Sequence, residues 1–395
     1  MPAPSNAPLT PDFYNYAWSP LASAELTDAT VTLRWPDGVT LSCYSLWLFE
    51  NVVGVGVETV TREGIIDPSD LPSPDALRAA KPDAEGALWL QWADGTTSSV
   101  HPGWLRHVAD GEHRPEHGIG PVARWDTTTL PEPPTMDGSD VLTNPATLRR
   151  SLRLMTHYGF ARLTNTTTDL DFAGHLTRLI GPIRDTNFGD VWDVKAKLNA
   201  DSTAYTGLNL GQHSDLPTRE TPPGFQFLHC VENTCVGGWS RMTDGLSVVH
   251  ELQTNFPEDY EALTTLRWVF FNRSKDADHR WSGPMIDHGA PGQPLTLRAF
   301  YPVRGFPDMP VNDVPRAYAA MRRFSQIAHD PRFQLRYPFT PGDIVGFDNR
   351  RMLHGRDAFD PGAGTRHLRG TYIDHDDLYS RLRILNRQFE QEHLT

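Results

Sequence analysis

The chain contains little cysteine, no excess of positive charge and no long apolar segment, and each of these absences excludes a class of protein. Three cysteines in 395 residues argue against a disulfide framework and for a reducing compartment. The net charge of −13 gives no electrostatic footprint for nucleic acid or an anionic membrane surface. No apolar run approaches the ~20 residues that a spanning helix needs, and residues 1–13 lack the basic and apolar regions of a signal peptide. We therefore expect a cytoplasmic protein with neither a nucleic-acid nor a membrane partner.

Shifts in composition divide the chain into four predicted segments. Residues 1–27 are rich in proline, alanine and serine and predict an N-terminal arm. Turn signals over 28–126 predict a small β-rich domain, and the prolines of 127–140 predict a linker. Residues 141–395 mix strand and helix patterns. We expect an α+β fold there, with an antiparallel jelly-roll core (a cupin-like double-stranded β-helix) buttressed by helices.

A faint repeat lies within the small domain. RWPDGVTLSCYSLWL begins at Arg34 and QWADGTTSSVHPGWL begins at Gln91. Each stretch has a Trp, an Asp-Gly pair two residues later, and a Trp-Leu pair twelve residues after the first Trp. Asp-Gly is a hairpin turn signal because glycine accepts a positive φ without steric cost. The pattern indicates either a duplication or two unrelated hairpins.

Individual elements can be predicted in the larger domain. Apolar residues at helical spacing predict helices that begin near Thr147, Ala173 and Pro315, and a C-terminal helix over LYSRLRILNRQFEQEHL. Strands are predicted for GFQFLHCV, LRWVFFN and LTLRAFYPV. The stretch FTPGDIVGFDNRRMLHGR predicts a turn, a strand, a loop and a second strand.

Two histidines and an aspartate form the candidate metal site. His213 and Asp215 are two residues apart, so on an extended strand their side chains share one face. His354 follows the apolar stretch DIVGF and supplies a third donor. Two imidazoles and one carboxylate suit non-haem Fe(II) and leave coordination positions open. We predict that these three residues form the catalytic metal centre.

A second His-x-Asp motif, His375-Asp376-Asp377, is rejected as a metal site. Only His393 lies downstream of it, in the predicted terminal helix, so no distant strand can supply the third donor. Arg366 lies twelve residues after His354, near the start of the strand-like stretch RHLRGTYI. Its guanidinium could hold a carboxylate by two parallel hydrogen bonds, and the Ser240 hydroxyl could contact the same carboxylate. The alternative for Arg366 is a surface salt bridge.

The chain resembles the γ-butyrobetaine hydroxylase and trimethyllysine hydroxylase family of 2-oxoglutarate oxygenases. The stretches that carry the resemblance are AYTGLNLGQHSDLP, TPPGFQFLHCVENTCVGGWSRMTDG, PGDIVGFDNRRMLHGRDAF and GTRHLRGTYIDHDDLYSRLRIL. It implies Fe(II) on His213, Asp215 and His354, with 2-oxoglutarate and O₂ as co-substrates. It also implies that Arg366 and Ser240 hold the distal carboxylate of 2-oxoglutarate.

The resemblance further implies an aromatic cage for a trimethylammonium group. The family's cage positions fall here on aromatic residues, namely Phe188, Trp192, Tyr205 and Tyr372. A quaternary ammonium cannot donate hydrogen bonds, and ring faces attract it by ~0.5–2 kcal/mol each. Core packing is the alternative role for any one of these rings.

The chain departs from the family at a structural zinc site. Many family members bind zinc in the N-terminal domain through cysteines and a histidine, and the matching positions here are about Val52, Gly54 and Val57. Zinc needs thiolate or imidazole donors, so we expect no zinc.

A second departure concerns the anionic end of the substrate. Two asparagines that bind the substrate carboxylate in γ-butyrobetaine hydroxylase correspond here to Ser202 and roughly Tyr301. Nearby Arg298 and Arg304 could bind a carboxylate or a phosphonate, or could be solvated surface charges.

The resemblance therefore implies a dioxygenase that hydroxylates a small trimethylammonium zwitterion such as γ-butyrobetaine and releases succinate and CO₂. A competing hypothesis keeps the chemistry and changes the substrate to a trimethylammonium alkylphosphonate or trimethyllysine. The sequence is also compatible with a catalytically silent sensor of 2-oxoglutarate or a betaine. A cupin-like isomerase or zinc hydrolase would leave Arg366 without a role. Because family members form dimers, we also expect a homodimer.

Overall fold

A computed structural model describes residues 3–195, 206–272, 276–289 and 294–392. The chain divides into two compact units, Met1–His117 and Gly118–Thr395. Among the described residues, no helix combines the length and the apolar character required to span a membrane.

Strands and helices follow one another irregularly along both units. The strands of the first unit are β1 Ser23–Thr27, β2 Thr30–Arg34, β3 Thr40–Tyr44, β4 Leu77–Pro82, β5 Leu88–Trp92 and β6 Thr97–Val100. Those of the second unit are β7 Thr135–Asp137, β8 Phe160–Thr164, β9 Val191–Lys195, β10 Leu210–His213, β11 Phe225–Asn233, β12 Ser240–Asp244, β13 Arg267–Phe271, β14 Arg280–Gly283, β15 Ile286–Asp287, β16 Thr296–Leu297, β17 Arg304–Asp308, β18 Gln334–Tyr337, β19 Ile344–Asp348, β20 Met352–Arg356 and β21 Arg366–Ile373. The helices are α1 Ser45–Glu50, α2 Pro102–Ala109, α3 Pro145–Tyr158, α4 Phe172–Ile180, α5 Gly245–Asn255, α6 Pro257–Thr265, α7 Val314–His329 and α8 His375–Glu392.

The first unit contains the sequence repeat as two similar halves. Sheet β1-β2-β3 is followed by α1, and sheet β4-β5-β6 is followed by α2. Gly38 and Gly95 both have φ of 88°, and each amide donates to the carbonyl of the Trp three residues earlier at 3.0 Å. Trp47 and Trp104 stack on each other with ring centroids 5.3 Å apart. The structure therefore favours a duplication over two unrelated hairpins.

The segment that matches the family's zinc region is packed in an apolar core. Val52 and Val57 are each only 4% exposed. The amide of Gly54 donates to the Val57 carbonyl at 2.7 Å and closes a tight turn, for which Gly54 adopts φ of 83°. Hydrophobic burial and backbone hydrogen bonds hold this segment.

The second unit is built on two sheets that pack face to face. One has the order β10-β20-β12-β18 and the other β7-β8-β19-β11-β21-β9; all neighbours are antiparallel except β7 and β8. Met242 and Leu335 of the first sheet and Phe347 and Leu368 of the second belong to one buried apolar cluster. On its other face, the six-stranded sheet is covered by α3, α4 and α8. The predicted combination of an antiparallel β core with supporting helices is confirmed.

One predicted strand is much shorter than its sequence indicates. LTLRAFYPV forms only the two residues of β16 and then a 3₁₀ turn at Tyr301–Val303. The Ala299 amide donates to the Ser214 hydroxyl at 3.1 Å instead of to a strand, and Pro302 has no N–H to donate. The hydrogen bond from Ala299 fixes Ser214, which lies between the candidate metal ligands His213 and Asp215.

Candidate active site

The two candidate histidines meet across neighbouring strands. β10 pairs antiparallel with β20, and His213 lies directly opposite His354. Their ring centroids are 4.1 Å apart. β20 is buried at every position, so His354 is held inside the sandwich. The Nδ1 atom of His213 contacts the Gly211 carbonyl at 2.9 Å, which leaves Nε2 for another partner.

Asp215 reaches the same point from a turn rather than from the strand, because β10 ends at His213. Asn349 fixes this turn: its Oδ1 accepts from the Asp215 amide at 2.7 Å, and its Nδ2 donates to the Asp215 carbonyl at 3.0 Å. Leu216, the next residue, has φ of 51°. Asn349 comes from the loop between β19 and β20, so the loop before His354 also positions the carboxylate.

The three side chains converge within the span of one ion. Asp215 Oδ1 lies 3.3 Å from His213 Nε2 and 3.8 Å from His354 Nε2. One ligand atom from each residue falls within 4.8 Å of the other two. Two donors about 2.1 Å from an ion and at right angles would lie roughly 3 Å apart. The donor set fits Fe(II) held on one face, with three positions left for other ligands.

The electrostatics of the cluster favour a divalent cation. Burial, together with the nearby His213, lowers the pKa of His354 to about 3, so its imidazole is neutral at physiological pH. Burial raises the pKa of the Asp215 carboxyl, but the two imidazoles and the Tyr372 hydroxyl more than offset this, and the net pKa is well below its ordinary value. A neutral imidazole and an ionised carboxylate are the forms that bind metal.

The histidine of the second His-x-Asp motif contacts an aspartate of the neighbouring strand. His375 begins α8, is 4% exposed, and its Nε2 lies 2.9 Å from Asp348 Oδ1. His375 thus links α8 to the end of β19. In the described ranges, His213, Asp215 and His354 are the only group of three or more possible donors with metal-binding spacing.

Arg366 is a cation buried at the start of a strand. It begins β21, is 7% exposed, and its Nε has no hydrogen-bond partner. Within the ranges that the structure describes, no carboxylate forms an ion pair with it. Burial lowers its pKa to about 10. An isolated buried charge is costly, so this environment excludes a surface salt bridge and favours an anionic ligand.

Arg356 is a second buried cation beside Arg366, and the sequence pattern did not single it out. It is 6% exposed, and its pKa is lowered to about 10, first by burial and then by Arg366 and Arg241. Phe359 lies 4.5 Å from the guanidinium of Arg356 and 5.7 Å from that of Arg366. The signal that could have found it is the His-Gly-Arg sequence that ends β20, which places Arg356 two residues after His354.

Ser240 begins β12 and lies opposite Arg356 on β20. The preceding turn passes close to Arg366: a Cβ at Gly238 would lie 3.5 Å from Arg366 Nε. Gly238 has φ of 66° and donates to the Ala358 carbonyl at 3.1 Å. The turn therefore brings the start of β12 to the side of Arg366.

Three of the four predicted cage residues form a continuous row of rings. Phe188 and Trp192 have centroids 6.4 Å apart, and Trp192 stacks on Tyr372 at 4.3 Å with an interplanar angle of 29°. Exposure falls along the row, from 38% through 8% to 2%. The phenol of Tyr372 donates to Asp215 Oδ2 at 2.7 Å. Tyr205 and Ser202 lie outside the described residues.

Tyr301, the second predicted contact for the substrate carboxylate, lies in the 3₁₀ turn that follows β16. Tyr301 is partly buried against the apolar cluster that contains α5, α6 and α7. Its neighbour Phe300 has a ring centroid 4.9 Å from that of His213, a contact that the sequence did not reveal. Arg304 lies over the rings of Trp268, at 5.0 Å, and Tyr301, at 5.9 Å.

Arg298 matches neither of the roles that the sequence left open. It is 2% exposed, and burial lowers its pKa to about 10. Its Nη1 donates to the carbonyls of Pro217 and Arg219, at 2.9 and 2.6 Å, and its Nη2 donates to that of Glu220 at 2.7 Å. The guanidinium therefore holds the loop that follows Asp215.

Replacing Arg298 by methionine should destabilise the second unit. The change keeps most of the volume but leaves three buried or half-buried carbonyls without their donor, and we expect the free energy of unfolding to fall by about 3 kcal/mol. Thermal unfolding of this unit of nearly 280 residues should then occur roughly 5 °C lower. Arg280→Gln is the matched control, because that side chain is 67% exposed and pairs with Asp278 in solvent. Equal melting temperatures for the two variants would contradict a supporting role for Arg298.

Comparisons with known proteins show what the chain is similar to. Residues 123–372 match the family described as taurine catabolism dioxygenase TauD, TfdA family. A gamma-butyrobetaine dioxygenase of Pseudomonas sp. (strain AK-1) is 37% identical, over 93% of this chain and 97% of its own. Mitochondrial trimethyllysine dioxygenase of Rattus norvegicus is 26% identical, over 76% of this chain and 72% of its own. The crystal structure of AAD-2 with Mn(II) and N-oxalylglycine has a TM-score of 0.49 at 18% identity, and covers 60% of this chain and 93% of that one.

The matches and the donor set together define a dioxygenase that depends on Fe(II) and 2-oxoglutarate and uses O₂. The chain belongs to the γ-butyrobetaine hydroxylase and trimethyllysine hydroxylase family within the TauD, TfdA group.

Proposed function

We propose that the enzyme hydroxylates γ-butyrobetaine and converts 2-oxoglutarate to succinate and CO₂. The observation that carries this proposal is the row of rings that ends in a hydrogen bond to the metal-site carboxylate. Such a row can hold a trimethylammonium group close to the metal centre by cation–π attraction. The name of the bacterial relative, gamma-butyrobetaine dioxygenase, supports the same substrate.

Each part of the site then has a defined task. His213, Asp215 and His354 would hold Fe(II), which supplies the oxygen chemistry that couples decarboxylation of 2-oxoglutarate to hydroxylation of a C–H bond. Arg366, with Ser240, would bind the distal carboxylate of 2-oxoglutarate through charge-assisted hydrogen bonds. The two packed sheets would be the halves of a double-stranded β-helix, the cupin-like form of the jelly roll. Positioning of the substrate selects the C–H bond that reacts.

The anionic end of the substrate distinguishes the competing substrates. Ser202 and Tyr301 are the proposed contacts for a carboxylate. With Arg298 committed to backbone carbonyls and Arg304 packed on aromatic rings, neither arginine favours a phosphonate. Trimethyllysine stays an alternative, supported by the name of the rat relative; a trimethylammonium alkylphosphonate stays the weaker candidate.

A neutral isostere tests the cage directly. In 5,5-dimethylhexanoate a carbon replaces the nitrogen of γ-butyrobetaine, so shape is kept and the positive charge is lost. We expect kcat/KM, measured as succinate formation, to fall at least ~10-fold, about 1.4 kcal/mol. Equal turnover of the two compounds would contradict a cation-binding role for the aromatic rings. Faster turnover of trimethyllysine or the phosphonate than of γ-butyrobetaine would contradict the proposed substrate.

A homodimer and a cytoplasmic location stay predictions. A light-scattering mass of two chains in solution would support the dimer, and a mass of one chain would exclude it.

A further inference from the structure

Tyr372 links the ring row to the metal site through a single hydroxyl group. Its ring stacks on Trp192 at 4.3 Å, and its phenol donates to Asp215 Oδ2 at 2.7 Å. The other carboxylate oxygen, Oδ1, is the one that lies nearest both His213 and His354. The hydroxyl thus contacts the oxygen that does not face the imidazoles.

The strand around Tyr372 is built to fix this geometry. Gly370 lies opposite Trp192 in the sheet, and a Cβ at this position would come within 2.5 Å of Trp192 Cε2. Glycine therefore allows the indole to lie against the strand. The hydroxyl of Thr371 contacts that of Thr177 in α4 at 2.7 Å. Because Tyr372 is 2% exposed, its ring has little freedom to turn away from Asp215.

We propose that Tyr372 is a positioning residue that restricts Asp215 to one metal-binding oxygen and couples the cage to the metal centre. The coupling rests on the proposed function; the restriction of Asp215 does not. A hydrogen bond to Oδ2 draws charge from that oxygen and fixes the carboxylate plane, which leaves Oδ1 as the metal donor. Partners that orient a metal ligand in this way typically alter metal affinity 10–100-fold when removed.

Binding of a cation at the rings would act on the metal through the same hydroxyl. A cation against the stacked pair attracts π density and makes the phenol a stronger donor, because linked polar groups polarise one another. The hydrogen bond to Oδ2 then strengthens, and Asp215 donates less charge through Oδ1. A metal ion held by Asp215 would then be a stronger Lewis acid when the substrate is in place.

Tyr372→Phe tests both parts, with Co(II) as a spectroscopic probe in the full-length protein. The variant keeps the ring and removes only the hydroxyl. We expect Co(II) to bind about 10-fold more weakly to the substrate-free variant. In the wild type with 2-oxoglutarate, adding γ-butyrobetaine should shift the Co(II) visible absorption bands. The variant should bind γ-butyrobetaine, measured by calorimetry, with a much smaller shift.

Tyr337→Phe is the matched control, because the Tyr337 hydroxyl is buried in β18 and has no hydrogen-bond partner among the described residues. It should leave both Co(II) affinity and the absorption shift unchanged. Wild-type Co(II) affinity in substrate-free Tyr372→Phe would overturn the positioning role, and a full absorption shift in that variant would overturn the coupling. A wild-type spectrum that ignores γ-butyrobetaine but responds to trimethyllysine would reject only the proposed substrate, since the affinity of the substrate-free variant does not depend on it.

Discussion

Replacing Asp215 by asparagine should reduce turnover by more than about 100-fold. The change keeps size but removes the negative charge, and the amide has only one oxygen to share between a metal ion and Tyr372. Loss of an outer partner already costs 10–100-fold in metal affinity or activity, so loss of the carboxylate donor itself should cost more. Succinate formation at saturating Fe(II), together with Co(II) affinity, measures the effect.

The second His-x-Asp motif supplies the control. Asp377→Asn makes the same chemical change in a motif whose histidine binds Asp348 instead of joining the metal cluster. The pKa of Asp377 is raised by burial and by the neighbouring carboxylates of Asp374 and Asp376, so the neutral amide should be well tolerated. Near-wild-type turnover is expected for Asp377→Asn. Comparable losses in the two variants would reject Asp215 as a metal ligand.

Replacing Arg366 by methionine should raise the KM for 2-oxoglutarate about 100-fold, equivalent to roughly 2.7 kcal/mol. Truncating one side of a buried charge pair costs 2–5 kcal/mol, and among the described residues no carboxylate pairs with this guanidinium. The protein itself should not become less stable, because the change removes an uncompensated buried charge. Calorimetric binding of 2-oxoglutarate and a thermal melt without ligand separate the two effects.

Arg369→Gln is the control on the same strand, since Arg369 pairs with Asp193 at 3.1 Å. Its KM for 2-oxoglutarate should stay within about 2-fold of the wild type. Arg366→Lys should recover only part of the affinity, because an ammonium lacks the planar fork that matches a carboxylate. Unchanged 2-oxoglutarate affinity in Arg366→Met would show that Arg366 does not bind the co-substrate.

Most of the candidate metal site could be predicted from the sequence because such chemistry requires particular residue types in a particular order. Imidazole and carboxylate donors are few, and only one His-x-Asp motif has a later histidine beside a buried strand. The order and spacing of His213, His354 and Arg366 then matched a known family. The Asp-Gly turns likewise indicated the hairpins of the first unit, since their backbone demands glycine.

The supporting contacts could not be predicted, because they depend on which side chains meet after folding. Asn349, Phe300 and the hydroxyl of Tyr372 touch the metal-site residues from distant segments, and their residue types are common in any core. Arg298 resembled a surface charge because arginine is usually exposed, yet it is buried by a loop more than 70 residues earlier. The strand predicted for LTLRAFYPV shortened because a side-chain hydroxyl replaced its strand partner.

The stacked indoles of the first unit have a consequence for how that unit unfolds. Each half of the duplication contributes one ring, Trp47 or Trp104, to a contact that neither half can complete alone. Both halves also share one apolar cluster. Unfolding of either half would expose the indole of the other half to water. The two halves should therefore unfold in one cooperative transition, without an intermediate in which only one half is folded.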